Sequence, residues 1–424
     1  MKILLVNPHE PTIYYGAPPI NLLMLAGYIM KFGHQVVIVD CVVEQKFEEM
    51  LTKFNPDIVG ITGTTIVISQ TYKLADYARS KGFKVMIGGI HATIFPEEAK
   101  QHADVVVVGE GELILKEILD NNLEGIVYGK PLEDLNEIPI LPYHLINMEF
   151  YLNFKARIFT MCPQEFRVAS LVTSKGCTHN CSFCHNSFRG LKYRSMSPEH
   201  ICDELEFLIK NYKINAVFFI EDNMFQDQDR IRNLCYEMDR RNIKLFWGAN
   251  SRVDSLDEKT LILARQTGLR QITFGWESGS QKMLNAYLKG VTVKQNEDSI
   301  KLCNKLDIFP NGTIMIGGPG ETIEDVKKTV DFVVNNVIRG GIGVCVTTPL
   351  PGTKLWRDCE KKGLIPKDLK WVDLDFNHCI INMSEMSSEK VVKTVQQLRT
   401  LGGLCLNRIF LNEDIKLLKE YIGK

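Results

Sequence analysis

Cys177, Cys181 and Cys184 stand at C-x3-C-x2-C spacing in the stretch SKGCTHNCSFCHNSFRG, residues 174–190. Three thiolates on one short loop can hold a small iron–sulfur cube and leave its fourth iron without a protein ligand. An open position of that kind separates a reactive metal site from one that only braces a fold. A zinc knuckle would need a fourth ligand, which His179 or His185 could supply. Three reduced structural cysteines are the plainer alternative, and the spacing argues against it. The flanks point the same way. Residues 166–173 are predicted as a strand, and Ser197-Pro198-Glu199 opens a helix with a cap and a first-turn proline. Strand, cysteine loop and helix is the order in which a barrel enzyme presents chemistry at the carboxyl ends of its strands.

This stretch resembles the motif of the radical SAM superfamily, which places an aromatic residue, here Phe183, just before the last cysteine. The resemblance implies a [4Fe–4S] cluster on Cys177, Cys181 and Cys184. It also implies that S-adenosylmethionine chelates the fourth iron through its amino and carboxylate groups.

A chain of 424 residues is too long for one ordinary core and predicts two or three domains. Apolar content of 45% with 24% charge is the balance of a folded globular protein. A formal net charge of −1 supplies no global basic field, so nucleic acid is not an expected partner. Twelve cysteines are scattered rather than set out as a disulfide framework, which beside a cluster motif points to a reducing cytoplasm. The chain has no long apolar run, and Met1 leads straight into a strand, so neither a membrane anchor nor a signal peptide is expected.

Over residues 1–125 short apolar runs alternate with helix-period segments. Strands are expected at 2–6, 35–40, 58–62, 84–87 and 104–108. Helices are expected near 19–32, 67–82 and 111–119, with shorter ones near 44–54 and 95–101. Five such units predict a doubly wound five-stranded parallel sheet, in which ligands sit at the carboxyl ends of the strands near the switch point. The ends carry Asn7-Pro8-His9-Glu10 and Tyr14 to Pro19, then Thr62-Gly63-Thr64-Thr65, Gly88-Gly89-Ile90-His91 and Gly109-Glu110-Gly111-Glu112. Glycines let a bulky ligand approach the backbone, and hydroxyls bond it without filling the pocket. Singly, each has a plainer reading. Gly88-Gly89 could be an ordinary turn, His91 is more often a hydrogen-bonded loop histidine than a ligand, and Gly109-x-Gly111 is too short for a dinucleotide fingerprint.

Together and in this order they resemble the cobalamin-binding domain fused ahead of many radical SAM enzymes. The matching pieces are PPINLLMLAGYIMKFGHQVVIVD (18–40), GITGTT (60–65), GGIHAT (88–93) and GEGE (109–112). The resemblance implies a Rossmann-like domain whose cobalamin meets Asn7, Tyr14, Tyr15, Pro19, Thr62, Gly63, Thr64, Thr65, Gly88, Gly89, His91, Gly109, Glu110, Gly111 and Glu112. The Asp-x-His-x-x-Gly motif, through which other cobalamin domains ligate cobalt by histidine, is absent. The lower face of cobalt is therefore expected to be unligated or met by Tyr14, Tyr15 or Thr64.

Residues 126–165 read as a linker, extended around Pro139 and Pro142, with Cys162 a buried hydrophobe. Six strand–helix repeats follow over residues 166–350. Their strands are expected at 167–173, 215–221, 243–249, 270–275, 310–316 and 341–347. A helix over 197–212 puts Ile201, Leu205, Leu208 and Ile209 on one face. The pattern predicts a partial (β/α)6 TIM barrel, and with it an α/β class for the whole chain. Polar residues stand where the apolar strands stop, although any one of them could be a helix cap. The family resemblance assigns S-adenosylmethionine contacts to Phe183, Glu221, Asn250, Arg252, Glu277, Ser278, Gly318 and Pro319. In that assignment Arg252 forks onto the methionine carboxylate. Glu277 accepts the ribose hydroxyls, and the glycines admit the adenine. Residues 351–424 form a small segment expected to close the barrel mouth over the substrate. Cys345, Cys359, Cys379 and Cys405 lie too far apart to suggest a second cluster.

The resemblance implies a cobalamin-dependent radical SAM methyltransferase. A 5′-deoxyadenosyl radical would take hydrogen from an unactivated carbon, and methylcobalamin, remade from a second S-adenosylmethionine, would supply the methyl group. The substrate would be a peptide, a protein or a small molecule, and a glutamine of methyl-coenzyme M reductase is one candidate. An electron donor for the cluster is expected, and a monomeric chain. Carbon–carbon coupling or cyclisation with the same cofactors is the alternative outcome. A tRNA methylthiotransferase would want a second cysteine trio and a basic module, and before Cys162 the chain carries only Cys41. A cobalamin sensor or cluster carrier would have no use for an open iron beside five polar strand ends.

Overall fold

Every interior residue of the first strand, β1 (Lys2–Asn7), is buried: Ile3 and Leu5 enter one core, Leu4 and Val6 another. A strand apolar on both faces belongs inside a parallel sheet covered by helices on each side. Full burial of Leu4 or Leu5 is worth about 1.5–3 kcal/mol, so a polar residue at either position would unseat the strand. The computed structural model describes residues 1–10, 17–44, 46–153, 166–185, 192–336 and 338–406. Tyr14, Tyr15 and Cys162 lie outside the described residues.

β1 pairs with β2 (Gln35–Asp40) on one side and β3 (Ile58–Thr62) on the other. β4 (Val85–Gly88), β5 (Val105–Gly109) and β6 (Gly125–Gly129) extend the sheet, all parallel, in the order β2-β1-β3-β4-β5-β6. The order reverses between β1 and β3, which is the switch point expected of a doubly wound sheet. Five strands were expected and six are present. GIVYG is short and glycine-bounded, and Tyr128 is exposed, so its local pattern is weak. Its strand character comes from five residues of pairing with β5.

The connector is less extended than its prolines suggest. Leu132, Leu135, Ile138, Leu141 and Tyr143 are all buried, with single 3-10 turns at Leu135–Glu137 and Tyr143–Leu145. Pro139 and Pro142 pack on helix Ile20–Met30 at Gly27, where a Cβ would stand 3.2 Å from Pro142. These linker residues join one face of the first sheet to the second domain in a single continuous core.

That second domain holds β7 (Val168–Leu171), β10 (Ala216–Phe219), β11 (Phe246–Ser251), β12 (Leu269–Glu277), β13 (Phe309–Ile316) and β14 (Ile342–Val346), parallel and in chain order. This is the partial barrel that the six repeats predict. Between β7 and β10 lies a two-stranded antiparallel hairpin, β8 (Ser174–Lys175) and β9 (Arg194–Ser195). Helix Pro198–Tyr212 starts at Ser197, whose side chain accepts from His200 N. It buries Ile201, Leu205 and Leu208 and stops at Lys213, which has left-handed backbone. Helix Ser388–Leu406 lies along β14, and Arg399 Nε donates to the Val344 carbonyl at 2.7 Å. No helix among the described residues is long and apolar enough to cross a membrane.

Candidate active site

The β8–β9 hairpin is the neck of the cysteine loop: Ser174 faces Ser195 and Lys175 faces Arg194 across it. Gly176 follows at φ +91°, a conformation that favours glycine, and Cys177 comes next. Beyond it the loop is pinned to the barrel. Ser182 N donates to the Tyr287 carbonyl and Leu355 N donates to the Ser182 carbonyl, each at 2.8 Å. Cys181 is buried, while Cys177 and Cys184 are half-buried. Burial pushes the Cys177 thiol above its ordinary value; a backbone contact at His179 works against this and the nearby Asp222 charge adds to it. His185 Nε2 lies 2.8 Å from the Pro351 carbonyl. Among the described residues, no three His, Cys, Asp or Glu converge on a single-ion position. A four-iron cube takes each thiolate on a different iron and needs no such convergence.

Arg252, at the end of β11, reaches this loop. One guanidinium nitrogen lies 3.5 Å from Cys181 Sγ. The rest of the fork is held by Asp254, at 2.9 and 2.8 Å, and by the Lys289 carbonyl at 2.7 Å. Its backbone N–H donates to Asn223 Oδ1. The family resemblance assigns Arg252 to a carboxylate of the cofactor; within the chain its bidentate partner is Asp254, and its remaining terminal nitrogen meets Cys181. Glu277 sits at φ +61°, left-handed backbone that costs a non-glycine residue about 1–2 kcal/mol. Its carboxylate pairs with Lys289 Nζ at 2.8 Å. Lys289 in turn stands 5.8 Å from the Phe183 ring centroid. Phe183 meets Tyr287 edge-on, and Tyr287 is bonded through its hydroxyl to Thr347 at 2.8 Å. Arg252, Glu277, Phe183, Lys289 and Tyr287 therefore gather around the cysteine loop.

The other strand-end residues turn elsewhere. Glu221 has no exposed side-chain area and pairs with buried Arg230 at 3.2 Å. It also accepts from the Thr173 backbone at 2.9 Å and from the hydroxyls of Thr173 and Ser174. Burial, the largest single influence, would raise its carboxyl, but the Arg230 charge together with the hydrogen bonds from Arg230, Ser174 and Thr173 holds it below the usual range. Its carboxylate is thus bonded to groups within the fold. Ser278, wholly buried, bonds Thr329 across to helix Ile323–Asn335. Asn250 donates to the Glu221 carbonyl. A Cβ on Gly318 would come within 2.2 Å of the Tyr287 hydroxyl, so this glycine admits a tyrosine, whatever else approaches it. Gly317 N and Gly318 N both donate to Glu321, and Pro319 beside them is half-buried.

At the first sheet, Asn7, Pro19, Thr62, Thr64, Gly88, Gly89 and Gly109 stay at least partly exposed along the carboxyl ends of the strands. Gly89, at φ +97°, lets the β4 end lie against Gly63, whose carbonyl would be 2.8 Å from a Cβ there. Thr65 and His91 are turned inward. His91 is wholly buried, 3.3 Å from Thr65 Oγ1 on one nitrogen and 3.3 Å from Glu98 on the other. Trp371 of the carboxyl-terminal segment packs its ring on His91 and Phe95 and donates to Glu98 at 3.3 Å. Glu110 and Glu112 face the second domain, pairing with Arg194 at 2.5 Å and Lys175 at 2.5 Å. Gly111, half-buried, links them.

The pattern of the Radical SAM superfamily matches residues 171–333, and that of the B12 binding domain matches residues 11–119. An uncharacterised methyltransferase of Pyrococcus horikoshii is 30% identical over 94% of this chain and 91% of its own length. The chain belongs to the radical SAM superfamily. It carries its B12 binding domain ahead of the barrel, in the order the motifs imply. The cytidylyl-2-hydroxyethylphosphonate methyltransferase of Streptomyces wedmorensis is 26% identical over 90% of this chain and 86% of its own length. Among solved structures, the radical S-adenosylmethionine methyltransferase TsrM of Kitasatospora setae, with cobalamin and a [4Fe–4S] cluster bound, superposes with a TM-score of 0.69. It covers 86% of this chain and 75% of its own at 18% identity, a likeness of fold.

The residues present suit the cofactors these two domains imply. Three thiols share one loop with an arginine beside the buried one, and the rim of the first sheet offers exposed backbone and hydroxyls. Lys289, Asp254, Tyr287 and Trp371 were not legible as site residues. Tyr287 and Lys289 follow the short helix Gln281–Ala286 without any motif, and Trp371 lies in a segment whose packing has no sequence signature.

Proposed function

We propose that this chain is a cobalamin-dependent radical SAM methyltransferase that transfers a methyl group from S-adenosylmethionine to an unactivated carbon. The supporting observation is that the first sheet and the barrel share one core, and that the neck of the cysteine loop is ion-paired to Glu110 and Glu112 of the B12 binding domain. Bound there, the cluster with S-adenosylmethionine supplies a radical able to take hydrogen from carbon, and cobalamin supplies the methyl group. The chain's own contributions follow from the geometry. Cys177, Cys181 and Cys184 hold three irons, and Arg252 donates toward the Cys181 sulfur. Phe183, Tyr287, Met283 and Met315 form an apolar wall beside the loop that excludes water. Lys289, ion-paired with Glu277, stands at its edge over the Phe183 ring.

The substrate is a peptide, a protein or a small molecule, and the cluster draws electrons from an external donor. A peptide around a glutamine of methyl-coenzyme M reductase is a specific substrate to assay first. Protein purified without oxygen and supplied with cobalamin should hold one cobalamin and about four irons per chain. The irons should be lost in a Cys177/Cys181/Cys184 alanine variant. Release of S-adenosylhomocysteine and 5′-deoxyadenosine then reports candidate substrates. Iron without cobalamin would sink the methyl-transfer reading and leave a radical SAM enzyme of another kind.

A further inference from the structure

The GEGE stretch after β5 has its acidic side chains turned away from its own sheet. Glu112 pairs with Lys175 at 2.5 Å, and Glu110 pairs with Arg194 through two contacts of 2.5 and 3.1 Å and lies 3.9 Å from Lys175. Arg194 also donates to the Leu132 carbonyl of the linker at 2.6 Å. All four side chains are between 5% and 16% exposed, so salt screens them weakly. Lys175 and Arg194 are opposite residues of the β8–β9 hairpin, and Lys175 is two residues before Cys177. The acidic pair therefore grips the neck from which the cluster cysteines hang. Glu112 is the first residue of helix Glu112–Asn121, where the helix dipole favours a carboxylate. Burial would raise the Glu110 carboxyl, but the hydrogen bond from Arg194 and the Lys175 charge keep it below its usual range.

Stability alone is a poor reason for this arrangement. Replacing a buried ion pair by apolar side chains of similar size is often neutral or stabilising, and the two domains already share an extensive apolar core. What paired charges add is direction. The Arg194 fork against Glu110 fixes an angle as well as a distance, and Lys175 adds a second fixed point. Hydrogen removal and methyl delivery must act on one carbon, and a misplacement of about 1 Å can cost on the order of a hundredfold in rate.

We propose that Glu110 and Glu112 are positioning residues that set the cysteine loop against the B12 binding domain through Arg194 and Lys175. The inference rests on the two-cofactor reading above. It is tested on full-length protein purified without oxygen and loaded with cobalamin, comparing wild type with Glu112→Gln, Lys175→Met and Lys175→Arg. The readout is the enhancement of cob(II)alamin spin relaxation by the reduced cluster, which falls steeply with their separation. Iron and cobalamin contents are measured on the same samples. Glu112→Gln and Lys175→Met should keep both cofactors and lose most of the enhancement, and Lys175→Arg should retain it. Unchanged enhancement in Glu112→Gln, with both cofactors bound, overturns the inference and leaves the function intact. Wild type that holds a cluster and no cobalamin overturns both. Should Lys175→Met fail to fold, the near-isosteric Glu112→Gln and Glu110→Gln decide the matter.

Discussion

Glu221→Gln should destabilise the fold far more than it weakens cofactor binding. The Glu221 side chain is fully covered and Arg230 is nearly so, and the carboxylate takes both terminal nitrogens of the guanidinium at 3.2 and 3.3 Å. It also receives the Thr173 N–H and the Thr173 and Ser174 hydroxyls. Removing one partner of such a pair strands the other charge in a medium that solvates it poorly, at a cost of about 3–5 kcal/mol. Urea unfolding of the full chain at pH 7, extrapolated linearly, reads that loss as a lower midpoint with the slope unchanged. Removing both charges, as in Glu221→Leu with Arg230→Met, should recover most of it, because no stranded ion is left. The reasoning fails if Glu221→Gln loses less than about 1 kcal/mol, the worth of an ordinary hydrogen bond, while affinity for S-adenosylmethionine drops. Glu221 would then face the cofactor, as the family resemblance implied.

Two further outcomes follow from the site. Burial pushes the carboxyls of Glu204, under the linker at Leu141, and Glu321, under Gly317 and Gly318, up to about 7. A raised pKa means the folded protein holds the proton more tightly, so the stability is full below the unfolded value of 4.5 and is lost as pH rises through about 7. The ceiling is about 3 kcal/mol for each group at 1.36 kcal/mol per unit. Glu204→Gln should flatten the fall between pH 5 and 8 in urea midpoints, and parallel curves would refute it. Arg252→Gln removes an N–H and a positive charge from beside Cys181, so the cluster should become harder to reduce. A reduced fraction about threefold smaller at fixed potential corresponds to about 30 mV for a one-electron couple. Equal midpoints in a redox titration followed by electron paramagnetic resonance would show that the contact does not act on the cluster.

Much of the fold was legible because buried parallel strands write themselves as unbroken apolar runs; β1, β2 and β3 fall within a residue of their expected bounds. The sixth strand was not, since GIVYG acquires its pairing only from β5. The cysteine trio was legible because its chemistry lies in covalent spacing, which folding cannot alter. Polar strand ends are another matter. Sequence shows that Glu221, Glu110 and His91 end strands or begin loops, but the direction each faces depends on partners far along the chain. Arg230 claims Glu221, and Arg194 and Lys175 claim the acidic pair. Trp371, 273 residues beyond Glu98, encloses His91. His91 is found within the short helix Ile90–Ile94, between Thr65 and Glu98.

Among the described residues, three kinds of contact tie the first sheet to the rest of the chain, and they do different work. The buried linker residues hold the domains together without regard to orientation, since apolar burial scales with area and has no direction. Trp371 adds ring contacts on His91 and Phe95 and one hydrogen bond to Glu98. The Glu110–Arg194 and Glu112–Lys175 pairs are directional and hold the hairpin from which the loop with Cys177 extends. Cutting the linker core should therefore separate the domains, whereas neutralising the pairs should leave them associated at an altered angle. A polar residue at a strand end in such an enzyme thus answers to either of two demands: contact with a cofactor, or alignment of one cofactor's domain on the other's.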